Sequence, residues 1–360
     1  MAMTISAIRR EIRNLSRVPN LDEQILERIR TAESNLGQPN GIEYFIETLC
    51  EAIKLKDVDL STIALQFLKN HIDDGRVSAK LMQQITDTVT KTEFTSTESE
   101  LVEEGYHQAV RVCRSLVKCK SSHELTNGSL SEIIIFCFRV FNSKLVKWLR
   151  LKSSRTLISI TKTIFKRLNE FPEDPNLKPS YQIRLRLGGA ATQSTFKELA
   201  NQSFASDNSS ASISPSIRII TERNQPYNLA FINDFFCYLA SLINPNHEVE
   251  ITKIVEDKIL LGLRLLKTVF NETGEELGKK SSLVFITRNN VCYNIVSILK
   301  TVRFLPIMSA ALNLATDIFI DLRHHLKYQF EAFIERLIEM LATSPEQSPD
   351  SSYSAALQTS

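Results

Sequence analysis

Few residues of this chain have types and spacings suited to chemistry. The stretch "LRHHLKYQFEAFIERLIEML", residues 322–341, sets His324 and His325 beside a run of carboxylates, and imidazole with carboxylate is a zinc-binding combination. Neighbouring residues of a helix point about 100° apart, so one ion cannot readily take both rings. Neither histidine has a carboxylate or histidine four residues on, the spacing that stacks two ligands on one helical face. His107, Cys119 and His123 bring a thiol and two imidazoles within seventeen residues. Nothing in their pattern fixes a base, an orienting group and an oxyanion hole. Gly188-Gly189, in "YQIRLRLGGAATQS", invites a phosphate-loop reading but lacks the G-K-[ST] ending that supplies the lysine and the metal-binding hydroxyl. The expectation is therefore a chain without catalytic residues, metal ligands or cofactor.

The elements that would position any site are helical. Around the two histidines, Leu322, Leu326, Phe330, Phe333, Ile334, Leu337, Ile338 and Leu341 fall on one broad apolar face, with Glu331, Glu335, Arg336 and Glu339 opposite. Ten glycines and eleven prolines cluster between long apolar-periodic segments instead of punctuating short alternating ones. Helices are expected near 21–36, 41–54, 60–73, 77–91, 100–119, 128–149 and 153–169, with connections short enough for antiparallel neighbours. In "LTNGSLSEIIIFCFRVF", Ser129 and Glu132 have capping-box spacing. From 171 to 225 serine, asparagine and proline dominate, and this stretch is read as a flexible linker that buries too little to order itself. Helices resume at "QPYNLAFINDFFCYLASLINP", where Pro226 suits a first turn and Pro245 closes the element. They continue near 249–272, 281–301, 305–320 and 321–342, and residues 344–360 read as a disordered tail. The fold class is all-α, an armadillo- or HEAT-like α-solenoid of antiparallel helices, although no clean repeat is visible and a compact bundle remains open for either half.

Composition narrows the functions. Forty-three basic against forty-one acidic side chains give a net charge of +2, too balanced for a dedicated nucleic-acid binder. Six cysteines occur without a CxxC pair, which fits a reduced cytosolic compartment. "MAMTISAIRREIRNLSR" is amphipathic and basic but lacks the apolar core of a secretory signal, and its Glu11 and short length disfavour a mitochondrial address. No run is expected to approach the roughly 18 apolar residues of a membrane span. Charge is uneven, however. Arg139, Lys144, Lys147, Arg150, Lys152, Arg155, Lys162, Lys166 and Arg167 follow one another with no acid between them, downstream of Glu93, Glu98, Glu100, Glu103 and Glu104. The basic ridge, centred on Lys144, Lys147, Arg150, Lys152 and Arg155, suits anionic headgroups or an acidic protein. The competing view is that both runs are solvated faces paired with each other, each pair worth roughly 0–1 kcal/mol.

"STESELVEEGYHQAVRVCRSLV", followed by "ELTNGSLSEIIIFCFRVFNSKLVKWLRLKSSRTLISITKTIFKRL", resembles the dimerisation/cyclophilin-binding (DCB) domain of the large, brefeldin-A-related Arf guanine nucleotide exchange factors, especially their Golgi-specific resistance-factor branch. "QPYNLAFINDFFCYLASLINP" and "LRHHLKYQFEAFIERLIEML" resemble parts of the homology-upstream (HUS) domain of the same proteins, and "LRLGG" matches that branch. The resemblance covers most of residues 90–342 and implies a DCB domain at 1–170 and a partial HUS domain at 226–343. It implies an armadillo-like solenoid that dimerises the exchange factor and regulates its catalytic domain at the Golgi and ER-Golgi boundary, where Arf activation recruits COPI. Implied partners are a second copy of the chain, the remainder of the exchange factor, Rab or Arf GTPases and the peripheral Golgi membrane, reached from the cytoplasm, with no nucleic acid. Implied dimer contacts are Glu103 and Lys69, with Asn70 aligning almost as well as Lys69. The asparagine-aspartate-cysteine-aspartate box and the exchange domain with its glutamic finger do not appear in the 360 residues. The chain alone is therefore expected not to exchange nucleotide. A generic armadillo-type adaptor is the alternative.

Overall fold

The computed structural model describes residues 5–173, 225–245 and 253–342, apart from 20, 39 and 56. The expected tail at 344–360, Gly188-Gly189 and most of the expected linker lie outside the described residues.

The first half comprises α1 (Ile5–Leu15), α2 (Glu23–Asn35), α3 (Gly41–Lys54), α4 (Val58–Asp73), α5 (Ala79–Lys91), α6 (Ser99–Lys118), α7 (Asn127–Asn142) and α8 (Lys147–Lys166). The second half comprises α9 (Leu229–Leu242) and α10 (Lys253–Thr273), then α11 (Ser281–Ile286), which runs through a π turn (Thr287–Val291) into α12 (Cys292–Thr301), and finally α13 (Leu305–Leu322) and α14 (Lys327–Ala342). Among the described residues the only β pairing is the isolated bridge of Thr126 with Pro226.

The chain is an all-α solenoid. In one layer α4 packs on α6, α6 on α8, α8 on α10 and α10 on α13; in the other α3 packs on α5 and α5 on α7. Phe138 of α7 meets Tyr238 of α9 edge to face at 5.1 Å, which carries the second layer across the break in the chain. The core is one cluster of buried side chains running from Ile8 to Phe333, as expected where each helix pair buries its apolar stripe only against its neighbours.

The junction between the halves is aromatic. Phe165 of α8 lies 6.2 Å from Phe235 and 6.0 Å from Phe236 on α9, and Phe236 lies 6.2 Å from Phe270 on α10. Both edges of the expected linker are bonded. Lys280 Nζ donates to the Phe171 carbonyl at 2.5 Å, and the Ser281 amide donates to Glu173 Oε1 at 3.1 Å. The Asn127 amide donates to the Gln225 carbonyl at 2.9 Å, and the Tyr227 amide to the Leu125 carbonyl at 3.2 Å. Residues 171–173 and 225 thus belong to the folded body.

Several local expectations are corrected. Helix α7 is capped by Thr126, whose side chain accepts from the Ser129 amide at 3.1 Å. Ser129 lies inside the helix and bonds Gln83, while the Glu132 carboxylate accepts from Thr90 Oγ1 at 3.4 Å. The bridge to Pro226 holds Thr126 extended, and a cap needs that backbone. The expected boundary between helices 128–149 and 153–169 also moves. Helix α7 stops at Asn142 and α8 starts at Lys147, with Ser143 returning its hydroxyl to the Val140 carbonyl at 2.6 Å. His324 and His325 sit in the turn between α13 and α14, not on a continuous helix from 321.

One helix, Leu305–Leu322, is long and apolar enough by length and composition to cross a membrane, against the sequence expectation. Its only charges, Asp317 and Asp321, fall near its end. Here one side of it packs into the core. Ile307, Ala311, Leu314, Ala315, Ile318 and Leu322 are buried, and Asp317 pairs with Lys267 of α10 at 3.1 Å.

Candidate interaction surfaces

The residues with catalytic potential do not converge. His107 lies edge to face with Trp148 at 5.3 Å and 3.4 Å from Glu104. His123 turns to the Lys120 carbonyl at 3.1 Å, and Cys119 gives its thiol to the Leu116 carbonyl at 3.2 Å. Burial pushes the Cys119 thiol up, away from the thiolate a nucleophile requires. His324 and His325 are exposed, and Arg323 Nε donates to His324 Nε2 at 3.2 Å. Among the described residues no three metal-ligating side chains gather. The thiols of Cys50 and Cys292 are both pushed up to about 12 by burial, so these two act as small core hydrophobes.

The two expected dimer contacts lie on packed neighbours, Lys69 on α4 and Glu103 on α6. Lys69 is about one-fifth exposed and pairs with Asp73 at 2.5 Å, one helical turn on. Asn70, the competing match, turns inward and donates to Glu11 Oε1 at 3.0 Å. Glu11 also sits 3.2 Å from the buried His71 ring. The acid that sequence reading weighed only against a targeting role thus ties α1 to α4.

The basic ridge is divided by the fold. Arg150 pairs with Asp257 of α10 at 2.9 Å and donates Nε to the Phe141 carbonyl at 2.9 Å; Lys162 pairs with Glu272 of α10 at 2.5 Å. Arg139 is spent on the Thr90 carbonyl and the Phe136 ring. Arg167 bonds Tyr227 Oη at 2.6 Å with its guanidinium 4.7 Å from that ring. The partners of Arg150 and Lys162 are therefore acids of α10, more than a hundred residues on, and not the upstream glutamates. Arg150 leaves the candidate surface, while Lys144, Lys147, Lys152 and Arg155 stay exposed.

Sequence reading missed two apolar surfaces. At the start of α8, Val146, Trp148 and Leu151 are exposed among those lysines. On α14 the stripe expected to be a core seam is half open. Phe333 is buried, whereas Phe330, Ile334, Ile338 and Leu341 are exposed.

A family model described as the Mon2/Sec7/BIG1-like dimerisation and cyclophilin-binding domain matches residues 2–170, and the HUS-domain model of the same family matches residues 232–358. The "Golgi-specific brefeldin A-resistance guanine nucleotide exchange factor 1 homolog" of Caenorhabditis elegans is 27% identical over 128 residues, 35% of this chain and 6% of that protein. The matched stretch thus spans a small fraction of the curated relative's length.

Proposed function

Because the chain belongs to the Mon2/Sec7/BIG1-like family and carries its DCB and HUS domains, we propose that it is a non-catalytic regulatory and dimerisation region of a Golgi Arf guanine nucleotide exchange factor acting in ER-Golgi vesicle transport. The observation that carries this reading is the order of the two domains together with their fusion into one stack across α8, α9 and α10. A fused stack transmits the position of one end to the other, as a regulatory arm must. Its partners are a second copy of the chain through the DCB half, the remainder of the exchange factor, and the peripheral Golgi membrane. What supports a seat for the remainder on α14 is the exposed apolar face formed by Phe330, Ile334, Ile338 and Leu341.

Light scattering across a concentration series tests the dimer. Glu103→Lys is expected to weaken self-association at least about tenfold, the coupling of a close interfacial charge pair, and adding Lys69→Glu to restore it. A strict monomer at every concentration, or indifference to charge reversal at Glu103, refutes the dimer. In a fluorescent-nucleotide assay the chain alone is expected to leave release from Arf at its spontaneous rate.

A further inference from the structure

The start of α8 combines two things that seldom share a surface, bare apolar side chains and cations that form no ion pair among the described residues. Five large hydrophobic side chains are exposed among the described residues before 174, and three of them, Val146, Trp148 and Leu151, fall within six positions. Trp148, Leu151, Lys152 and Arg155 follow the spacing i, i+3, i+4, i+7, so they form one stripe of the helix. The other side of α8 is committed to the core through Leu149, Ser153, Leu157 and Ile160. Lys144 and Lys147 flank the stripe and are exposed. Glu104 of α6 is engaged with His107, the ring on which Trp148 leans. Of the ridge cations, Arg150 and Lys162 are paired with acids of α10, and Arg139 and Arg167 are engaged elsewhere.

We propose that this stripe is a contact for an anionic phospholipid bilayer, with Trp148 and Leu151 entering the headgroup region and Lys144, Lys147, Lys152 and Arg155 held at the lipid phosphates. Tryptophan suits that depth because its ring is apolar and its indole N–H is polar. Each cation near an anionic leaflet contributes enough for about fivefold in partitioning. A site for an acidic protein would need its cations but not a bare aliphatic side chain between them. The proposal deepens the peripheral-membrane part of the function above and is independent of the dimer part. A failed vesicle experiment leaves the light-scattering result standing, and the reverse.

Trp148 is the chain's single tryptophan, so its fluorescence reports this surface alone. The full chain is mixed with phosphatidylcholine vesicles carrying about one third phosphatidylserine, chosen to give a strongly negative surface. Emission is expected to move to shorter wavelength and strengthen, and the protein to sediment with the vesicles. Pure phosphatidylcholine and inorganic phosphate should do neither, and high salt should reverse both. Lys147→Ala with Lys152→Ala is expected to lower partitioning by about 25-fold. Trp148→Ala and Leu151→Ser, each at an exposed position and checked for unchanged helicity, should lower sedimentation severalfold. The proposal is overturned by sedimentation without an emission change, by binding that survives both apolar substitutions, or by no binding at all. An emission shift with polyglutamate but not with vesicles would assign the stripe to an acidic protein and equally overturn it.

Discussion

Replacing Phe236 by alanine tests whether the two family domains are one folding unit. The ring is fully buried on α9 and touches Phe165 from one domain and Phe270 from the other. Removing a buried phenylalanine costs about 3–5 kcal/mol through lost transfer energy and the cavity left behind, against a typical domain stability of about 5–15 kcal/mol. Trp148 is the reporter. It sits on α8 in the other half of the molecule, its ring against His107 of α6, and so follows the DCB side of the stack. For a chain of this size the urea m-value falls near the upper end of the usual range, about 3 kcal/mol per molar. If α8, α9 and α10 unfold together, Phe236→Ala moves the Trp148 midpoint down by about 1–2 M urea. Far-UV dichroism should move with it. A Trp148 midpoint within error of wild type, with dichroism showing an earlier partial loss of helix, refutes the shared core. The two domains would then be neighbours that unfold separately, as long helical stacks can.

Two further perturbations follow from packing and charge. Gly262 of α10 passes so close to α9 that an added Cβ would lie 2.9 Å from Leu242 Cβ and 2.8 Å from Ile243 Cγ2. Gly262→Ala should therefore lower stability by up to about 2 kcal/mol, the overpacking cost of about 1–3 kcal/mol outweighing a helix-propensity gain of about 1 kcal/mol, and a raised denaturation midpoint would show that the helices part easily. Burial, followed by the neighbouring Asp87 carboxylate, pushes the Glu132 carboxyl up from its ordinary value. A group raised on folding contributes stability that is full below its unfolded value and is lost as pH rises through the folded one. Glu132→Gln should therefore raise the midpoint by about a degree or two at pH 7 and leave it unchanged at low pH. A loss at pH 7 would mean that the carboxylate's bond to Thr90 outweighs the repulsion.

The solenoid was legible because its signal is redundant: α3, α4, α5 and α6 each carry an apolar stripe many residues long, and a wrong boundary changes none of them. What was not legible depends on partners distant in sequence. Ser129 has the better capping-box spacing, yet Thr126 wins because Pro226, a hundred residues on, fixes its backbone. Nine cations without an acid between them look like an open ridge, and Asp257 and Glu272 close part of it only because α8 stacks on α10. Asn70 aligns almost as well as Lys69, but α1 takes Asn70 through Glu11. The stripe on α14 was correctly seen as apolar. Its exposure depends on what lies beside it, which periodicity within one helix does not encode.

The two ends of the stack are chemically different, and the difference gives the molecule a direction. A helical stack stays soluble when its terminal helices turn a polar face outward. At one end α1 does so, with Ile8, Ile12 and Leu15 buried, Glu11 turned in to Asn70 and His71, and Arg9, Arg10 and Arg13 outside. At the other end α14 buries Phe333 and leaves Phe330, Ile334, Ile338 and Leu341 open. These are the i, i+4, i+8 and i+11 positions by which a further helix is received. The polar-faced α1 and the apolar-faced α14 lie on opposite sides of the α8 to α10 junction. A helix seated on α14 is therefore linked through α12, α13, α10 and α8 to the surfaces of α6 and α4 that carry Glu103 and Lys69. Under the proposed function this is the route by which self-association at one end would be felt by the remainder of the exchange factor at the other, and the Phe236→Ala substitution lies in the layer beside it.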